Sequence, residues 1–120
     1  MNTAQRDPLE LRKGKLLVVE DDLTFGSVLK AMFDEEGLDV TWAQELETAR
    51  KHLDRRPDVV LLDQRLPDGS GLTLIDEINA ANPLAKVLVL TANGSVDDAV
   101  FALKRGIVDY LAKQIGRAHV

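Results

Sequence analysis

Cysteine is absent from this 120-residue sequence, which excludes both a disulfide framework and a thiolate metal site. Its two histidines, His52 and His119, lie so far apart in the chain that zinc ligation has little support. No apolar run is long enough to span a membrane, and the N-terminus lacks the apolar core of a signal peptide, so we expect a cytoplasmic location. The net charge is −5 and no basic cluster is present, so direct nucleic-acid binding by this segment is not expected.

The composition is that of one small globular domain, with 45% hydrophobic and 29% charged residues. Residues 1–14 are polar, contain Pro8 and show no periodicity, and we interpret them as a flexible leader. Beyond them, runs of β-branched residues and leucine occur without alternation, which predicts strands buried on both faces of a parallel sheet. These runs are residues 15–19, 59–62 and 86–90.

Between these strands, apolar residues recur at helical spacing and predict four helices. The first carries an apolar stripe from Phe25 to Phe33, the second covers residues 45–54, the third covers residues 71–81, and the fourth starts near Ser95 and closes at Gly106. The fourth helix carries Val96, Ala99, Val100 and Leu103. Shorter strands at residues 38–43 and 108–112 complete a βαβαβαβαβ order, which favours an α/β fold with helices on both faces of a parallel sheet.

Polar side chains follow four of the predicted strands where each one ends. They are Glu20–Asp21, Asp63, Thr91 and Lys113. The carboxyl ends of parallel strands meet at one edge of a sheet, so we expect these groups to lie together. Two carboxylates ~4 Å apart repel by roughly 4 kcal/mol at an effective dielectric constant of about 20, and a metal ion, the ammonium group of Lys113, or both would offset this repulsion. Carboxylate oxygens suit Mg²⁺, which predicts a magnesium site.

This combination of residue types is suited to phosphoryl chemistry. A carboxylate such as Asp63 can act as the nucleophile that forms an aspartyl phosphate. A divalent cation and the ammonium group of Lys113 would neutralise the charge on the transferring group. Thr91 could donate a hydrogen bond to a phosphoryl oxygen. Each residue alone is weak support, since strand-end threonines and lysines are common, but the joint pattern is specific.

At these positions the chain resembles the receiver domains of two-component response regulators, and the resemblance covers residues 15–113. It implies a flavodoxin-like, doubly wound, five-stranded parallel sheet of order 2-1-3-4-5. It also implies a similarity, from residue 94 to Gly106, to the receivers of NtrC-like regulators that act with sigma-54. The motifs that carry the resemblance are LLVVEDD at 16–22, LLD at 61–63 with Pro67 and Gly71 beyond it, LTA at 90–92 and DYLAK at 109–113.

The resemblance implies roles for the acidic residues. Asp63 corresponds to the phospho-acceptor. Glu20 and Asp21 correspond to the acidic pair, with Asp21 the more direct Mg²⁺ ligand. Asp63 itself and the backbone carbonyl of Arg65 correspond to further ligands.

It also implies a switching relay and its partners. A sensor histidine kinase or a phosphotransfer protein would donate the phosphoryl group, Lys113 would pair with it, and Thr91 and Tyr110 would move as the switch residues. The chain would then be a phosphorylation-activated signalling switch and not an enzyme. It would regulate an output, in transcription, through a further domain of the parent protein, and it could form a homodimer.

The sequence departs from the family after Lys113. The family usually has Pro next and then a fifth amphipathic helix, whereas residues 114–120 read QIGRAHV and leave no room for that helix. The last six of these residues match one reading frame of a sequencing adapter, so we expect a gene fragment truncated at about Lys113 with a non-native tail. Loss of the helix would remove roughly 6–15 kcal/mol of apolar burial before entropy, so we expect a marginally stable chain with an exposed apolar patch.

Three other functions are considered. An Asp-nucleophile phosphohydrolase would carry a second acid two residues after the nucleophile, where this chain has Arg65. A flavodoxin-type nucleotide binder would need a small-residue phosphate cradle after the first strand, where Glu20, Asp21 and Asp22 would repel a phosphate. A receiver-like scaffold that is never phosphorylated is the third, and the presence of Asp63, Thr91 and Lys113 argues against it.

Overall fold

The computed structural model describes residues 14–92 and 96–113. The predicted leader (apart from Gly14), the Ser95 start of the fourth helix and the predicted tail lie outside these residues. Five parallel strands form one sheet of order β2-β1-β3-β4-β5, which confirms the predicted order 2-1-3-4-5. The strands are β1 (Lys15–Val19), β2 (Asp39–Ala43), β3 (Val59–Asp63), β4 (Lys86–Thr91) and β5 (Asp109–Ala112).

Four α-helices connect the strands, as the apolar periodicity predicts. They are α1 (Leu23–Glu35), α2 (Leu46–Lys51), α3 (Ile75–Ala81) and α4 (Val96–Lys104). Two of them are shorter than predicted, because 3₁₀ turns at Leu53–Arg55 and Gly71–Leu74 take up the end of the second helix and the start of the third. Within the described part of the chain, no helix has both the length and the apolar character needed to cross a membrane.

The sheet separates two apolar layers, which explains why its central strands show no polar alternation. Leu17, Val19, Val60 and Leu62 face one layer, which α2, α3 and α4 cover. The alternate residues of β1 and β3 face the other layer, where α1 packs through Leu29. Both faces of β1 and β3 are therefore buried, as expected for a doubly wound sheet.

Helix α4 packs through a smaller residue than its apolar sequence indicates. Val100 and Leu103 are 44% and 52% exposed, whereas Ala102 is fully buried against the α2–α3–α4 layer. A small side chain at the contact lets the helix lie close to the sheet, and this turns the larger apolar residues outward. The result is an exposed apolar surface on α4.

The loop after β3 contains a hairpin that the sequence analysis did not predict. Arg65–Leu66 pairs antiparallel with Gly69–Ser70. Gly71 then returns so close to β3 that a Cβ atom there would lie 2.0 Å from the carbonyl oxygen of Asp63. Only glycine allows this approach, so Gly71 fixes the path of the chain around the end of β3.

Candidate functional site

The candidate site lies at the carboxyl ends of β1 and β3, which are neighbours in the sheet. Val19 is in register with Leu62, so Glu20 and Asp63 emerge side by side. From β1 the sheet continues to β2 on one side, and from β3 it continues to β4 on the other. This is the point of a doubly wound sheet where ligand sites form.

Three carboxylates converge at this edge. Glu20, Asp21 and Asp63 each offer an oxygen within 4.8 Å of the others. Glu20 is fully buried, Asp63 is 3% exposed, and Asp21 is exposed to solvent. Backbone amides hold the two buried groups: the N–H of Asp22 donates to Glu20 Oε2 at 3.0 Å, and the N–H of Arg65 donates to Asp63 Oδ1 at 3.2 Å.

Lys113 supplies a positive charge to the buried acids. Its Nζ lies 2.5 Å from Glu20 Oε1 and 3.1 Å from Asp63 Oδ2. Its backbone N–H donates to the carbonyl of Thr91 at 2.7 Å, which anchors it beside the end of β4. The ammonium group also lies 5.1 Å from the centroid of the Phe25 ring. Lys113 follows β5, which lies beyond β4 in the sheet, and its side chain reaches across to the acids at the ends of β1 and β3.

Burial and charge shift the pKa values of this cluster. Burial raises the pKa of Glu20 from 4.5 to about 7, and the nearby Asp63 adds to this, while Lys113 and the Asp22 amide oppose it. Burial alone would lower the pKa of Lys113, but its hydrogen bonds to Glu20 and Asp63 outweigh that effect and raise it. Lys113 therefore stays charged at neutral pH, while one ammonium group is not enough to hold Glu20 fully ionised.

The donor set fits a hard divalent cation. All three groups offer carboxylate oxygens, which Mg²⁺ and Ca²⁺ prefer. Glu20 Oε1 is fully buried, and the Lys113 ammonium at 2.5 Å is the partner that the described residues give it. A second positive charge beside this oxygen would offset the cost of burying it. Glu20, Asp21 and Asp63 could therefore hold such a cation.

The predicted switch residues lie on the other side of the site. Thr91 is 4% exposed at the end of β4, and Tyr110 packs against the α2–α3–α4 layer from β5. The Tyr110 hydroxyl donates a hydrogen bond to Gln64 Oε1, and Gln64 Nε2 donates to Asp98 Oδ2 at 2.6 Å. Burial and the charge of Asp98 raise the pKa of Tyr110, and a hydrogen bond with Thr91 only partly opposes this. The phenol therefore stays neutral.

The structure thus brings Glu20, Asp21, Asp63 and Lys113 together, with Thr91 at the adjacent strand end. The backbone N–H of Arg65 contacts the Asp63 carboxylate. Metal ligation by the Arg65 carbonyl stays a prediction. The roles of all these residues likewise stay predictions.

Sequence reasoning missed three residues around the site. Gln64, directly after Asp63, is only 7% exposed and joins Tyr110 to α4. Asp68 accepts the amides of Leu46 and Glu47 at 2.8 and 3.0 Å, and so ties the loop after β3 to the start of α2. Trp42 on β2 donates its indole N–H to the Glu20 carbonyl. Of these three residues, only Gln64 carried a signal in the sequence, because it is a polar residue that directly follows a buried strand.

The fold and the acidic cluster together define an α/β domain with three clustered carboxylates at its topological switch point. The sequence matches the response regulator receiver domain family over residues 16–120, and the chain belongs to that family. Response regulator protein PilR of Pseudomonas aeruginosa is 39% identical over 106 residues, which cover 88% of this chain and 24% of PilR. The chain therefore spans about a quarter of the length of that relative.

Solved structures agree with this assignment. A response regulator protein from Burkholderia pseudomallei, crystallised with a phosphorylated aspartic acid, a calcium ion and citrate, is 32% identical with a TM-score of 0.79, over 84% of this chain and 60% of that one. The beryllofluoride-activated NtrC4 receiver domain dimer is 39% identical with a TM-score of 0.76, over 82% of this chain and 83% of that one. The second match confirms the predicted resemblance to receivers of NtrC-like regulators.

Proposed function

We propose that Asp63 accepts a phosphoryl group in a Mg²⁺-dependent reaction, and that this modification switches the chain between two signalling states. The observation that carries the proposal is the setting of the Asp63 carboxylate. It is 3% exposed, it lies 3.1 Å from the Lys113 ammonium, and it shares a cluster within 4.8 Å with Glu20 and Asp21. The phosphorylated aspartic acid and the calcium ion in the Burkholderia pseudomallei regulator support the same chemistry.

The donor is a phosphohistidine of a sensor kinase or a phosphotransfer protein. An Asp63 carboxylate oxygen attacks phosphorus, the N–P bond breaks, and the histidine nitrogen takes up a proton as it leaves. When bound, Mg²⁺ would neutralise charge on the phosphoryl oxygens. Lys113 keeps its proton and pairs with the phosphoryl group, while Thr91 turns its hydroxyl towards it.

The output surface is the α4–β5 face. Val100 and Leu103 of α4 and Val108 before β5 are 44%, 52% and 54% exposed, which is apolar area available to a partner. Phosphorylation adds a dianion beside Thr91, and Tyr110 and α4 respond through the contacts they share. An output domain of the parent protein, acting in transcription, or a second receiver as in the NtrC4 dimer, would read this change.

The enzymatic alternative has less support. An Asp-nucleophile phosphohydrolase needs a general acid two residues after its nucleophile, and Arg65 occupies that position with an exposed side chain. Arginine cannot donate a proton at neutral pH. We therefore propose a phosphorylated switch and not a phosphohydrolase.

The test is intact-mass detection of phosphorylation with a small-molecule phosphodonor and Mg²⁺. We expect one phosphoryl adduct on the wild-type chain, sensitive to hydroxylamine as an acyl phosphate is, and no adduct with a chelator. Asp63→Asn should abolish it, because an amide is a poor nucleophile. The matched control is Asp76→Asn at an exposed position of α3, which should keep the adduct.

An adduct that persists in Asp63→Asn would overturn the assignment of the acceptor. A wild-type chain that is folded by circular dichroism and yet forms no adduct would instead favour the scaffold that is never phosphorylated.

A further inference from the structure

We propose that Trp42 is a positioning residue for the cation site, acting through the backbone of Glu20 to place Asp21. The inference rests on the proposed function, since it concerns the same site. Trp42 lies on β2 and offers no oxygen to a cation itself. Its effect comes from one hydrogen bond and from the packing that orients it.

The hydrogen bond joins β2 to the turn that carries the acids. Trp42 Nε1 donates to the Glu20 carbonyl oxygen at 2.8 Å. The N–H of Glu20 donates to the carbonyl of Ala43 at 2.9 Å. Both backbone groups of Glu20 are therefore held by consecutive residues of β2, one through a side chain and one through the main chain. The orientation of the peptide between Glu20 and Asp21 is fixed as a result.

The indole ring is itself held in place by α1. A Cβ atom on Gly26 would lie 2.2 Å from Cζ2 and 2.7 Å from Nε1 of Trp42, so the ring lies flush against a glycine. Gly26 in turn lies in the first turns of α1, where its N–H donates to the Asp22 carbonyl at 2.8 Å. The tryptophan therefore connects α1, β2 and the acidic turn in one packed unit.

Asp21 is the ligand that depends most on this arrangement. Its side chain is exposed and lacks the burial that holds Glu20 and Asp63. Asp21 and Trp42 line the same open cavity of about 370 Å³ at the edge of the site. If the Glu20 carbonyl were released, Asp21 could turn into this space and away from the other two carboxylates. The expected consequence is weaker cation binding with little change in the core.

The experiment removes the indole N–H and measures Mg²⁺ binding by isothermal titration calorimetry. Trp42→Phe keeps an aromatic ring and loses the donor, and we expect the Kd for Mg²⁺ to rise about tenfold, as for other groups that orient metal ligands. Because the sequence has one tryptophan, biosynthetic replacement by benzothienylalanine gives a second variant that keeps the two-ring shape and loses only the N–H. The matched control is Phe33→Leu, which alters the same apolar layer away from the turn.

A double-mutant cycle separates positioning from packing. If Trp42 acts through Asp21, Asp21→Asn should weaken Mg²⁺ binding severalfold less in the Trp42→Phe background than in the wild type. The increase in melting temperature produced by Mg²⁺ should shrink in both tryptophan variants and stay at the wild-type value in Phe33→Leu.

Unchanged Mg²⁺ affinity in the benzothienylalanine protein would overturn the positioning role, as would strict additivity with Asp21→Asn. Failure of the wild-type chain itself to bind Mg²⁺ would instead refute the metal site of the proposed function.

Discussion

At the scale of single residues, the site depends on a carboxyl group that folding makes difficult to ionise. Glu20 is fully buried, and its burial raises the pKa to about 7 from 4.5. A group whose pKa is higher in the folded chain stabilises the fold fully below its unfolded value and loses that contribution as the pH rises through the folded value. The contribution of Glu20 is therefore fully present below about pH 4.5 and is lost as the pH rises to about 7. The raised pKa of Lys113 does not make the free energy of unfolding depend on pH in this range. The stability that Lys113 contributes is lost only above pH 10.5, the ordinary pKa of lysine.

We predict that, with a chelator present, the free energy of unfolding of the wild type falls relative to that of Glu20→Gln as the pH rises from 4.5 to 8. The expected difference is on the order of 1–3 kcal/mol, because glutamine is an uncharged isostere that does not titrate. Urea denaturation at a series of pH values measures it. Saturating Mg²⁺ should remove most of the slope from wild type. Parallel curves for the two proteins would show that Glu20 does not titrate in this range.

The sequence predicted which strand ends carry the site, but not how deeply each acid is buried. Glu20, Asp63 and Lys113 could be assigned because parallel strands end at one edge of the sheet. Glu20, Asp21 and Asp22 are three consecutive acids, and nothing local shows which one is buried. The answer depends on Trp42, 22 residues away, which binds the Glu20 carbonyl, and on Asp22, which caps α1 by accepting the N–H of Phe25.

At the scale of secondary-structure elements, Gln64 is the residue that connects the acceptor strand to the switch. Its backbone N–H donates to the Leu90 carbonyl at 3.0 Å, which secures β3 to β4. Its side-chain amide bonds Asp98 on α4 and the Tyr110 hydroxyl on β5. One residue next to Asp63 thus contacts three further elements, so a change at the acceptor can alter the packing of α4.

We predict that Gln64→Leu loosens α4 and β5 while it leaves α2 and α3 unchanged. Leucine has a similar size but leaves Asp98 and the Tyr110 hydroxyl without this partner, at a cost of about 1–3 kcal/mol. Hydrogen exchange followed by mass spectrometry should show faster exchange confined to α4 and β5. Gln44→Leu, at an exposed glutamine on the opposite side of the site, is the control and should leave α4 unaffected. Uniformly faster exchange throughout the chain would mean that Gln64 only stabilises the fold.

Element positions were predictable where local rules decide them. Asn82 precedes Pro83 and ends α3 in an extended conformation, with φ −148° and ψ 99°, as the residue before a proline must be. The packing face of α4 was not predictable, since Ala102 and not Val100 or Leu103 meets the core. That choice depends on how closely the helix approaches the sheet, which is a tertiary property.

At the scale of the whole molecule, the helices among the described residues cover the two faces of the sheet unequally. Helices α2, α3 and α4 pack on one face, whereas on the other face α1 is the one helix among the described residues. Beside α1 lies an apolar groove of about 290 Å³. Its apolar lining residues are Leu16, Phe33, Leu38, Val59, Leu61 and Leu88. The exposed apolar patch expected from the sequence stays a prediction, and this groove is the candidate for it among the described residues.

We predict that the folded chain binds an apolar fluorescent dye such as anilinonaphthalene sulfonate in this groove with saturable, one-site behaviour. A molten chain would bind many dye molecules and lose its near-ultraviolet circular dichroism, so the two measurements together distinguish an ordered groove from loss of tertiary packing. Leu38→Arg places a charge in the groove and should reduce dye binding severalfold. Leu84→Arg, at a loop leucine that is 83% exposed and outside the groove, is the matched control and should bind dye as wild type does. If dye binding fell equally in both variants, the dye would not be bound in the groove. If the wild type bound no dye, the groove would not be accessible in solution.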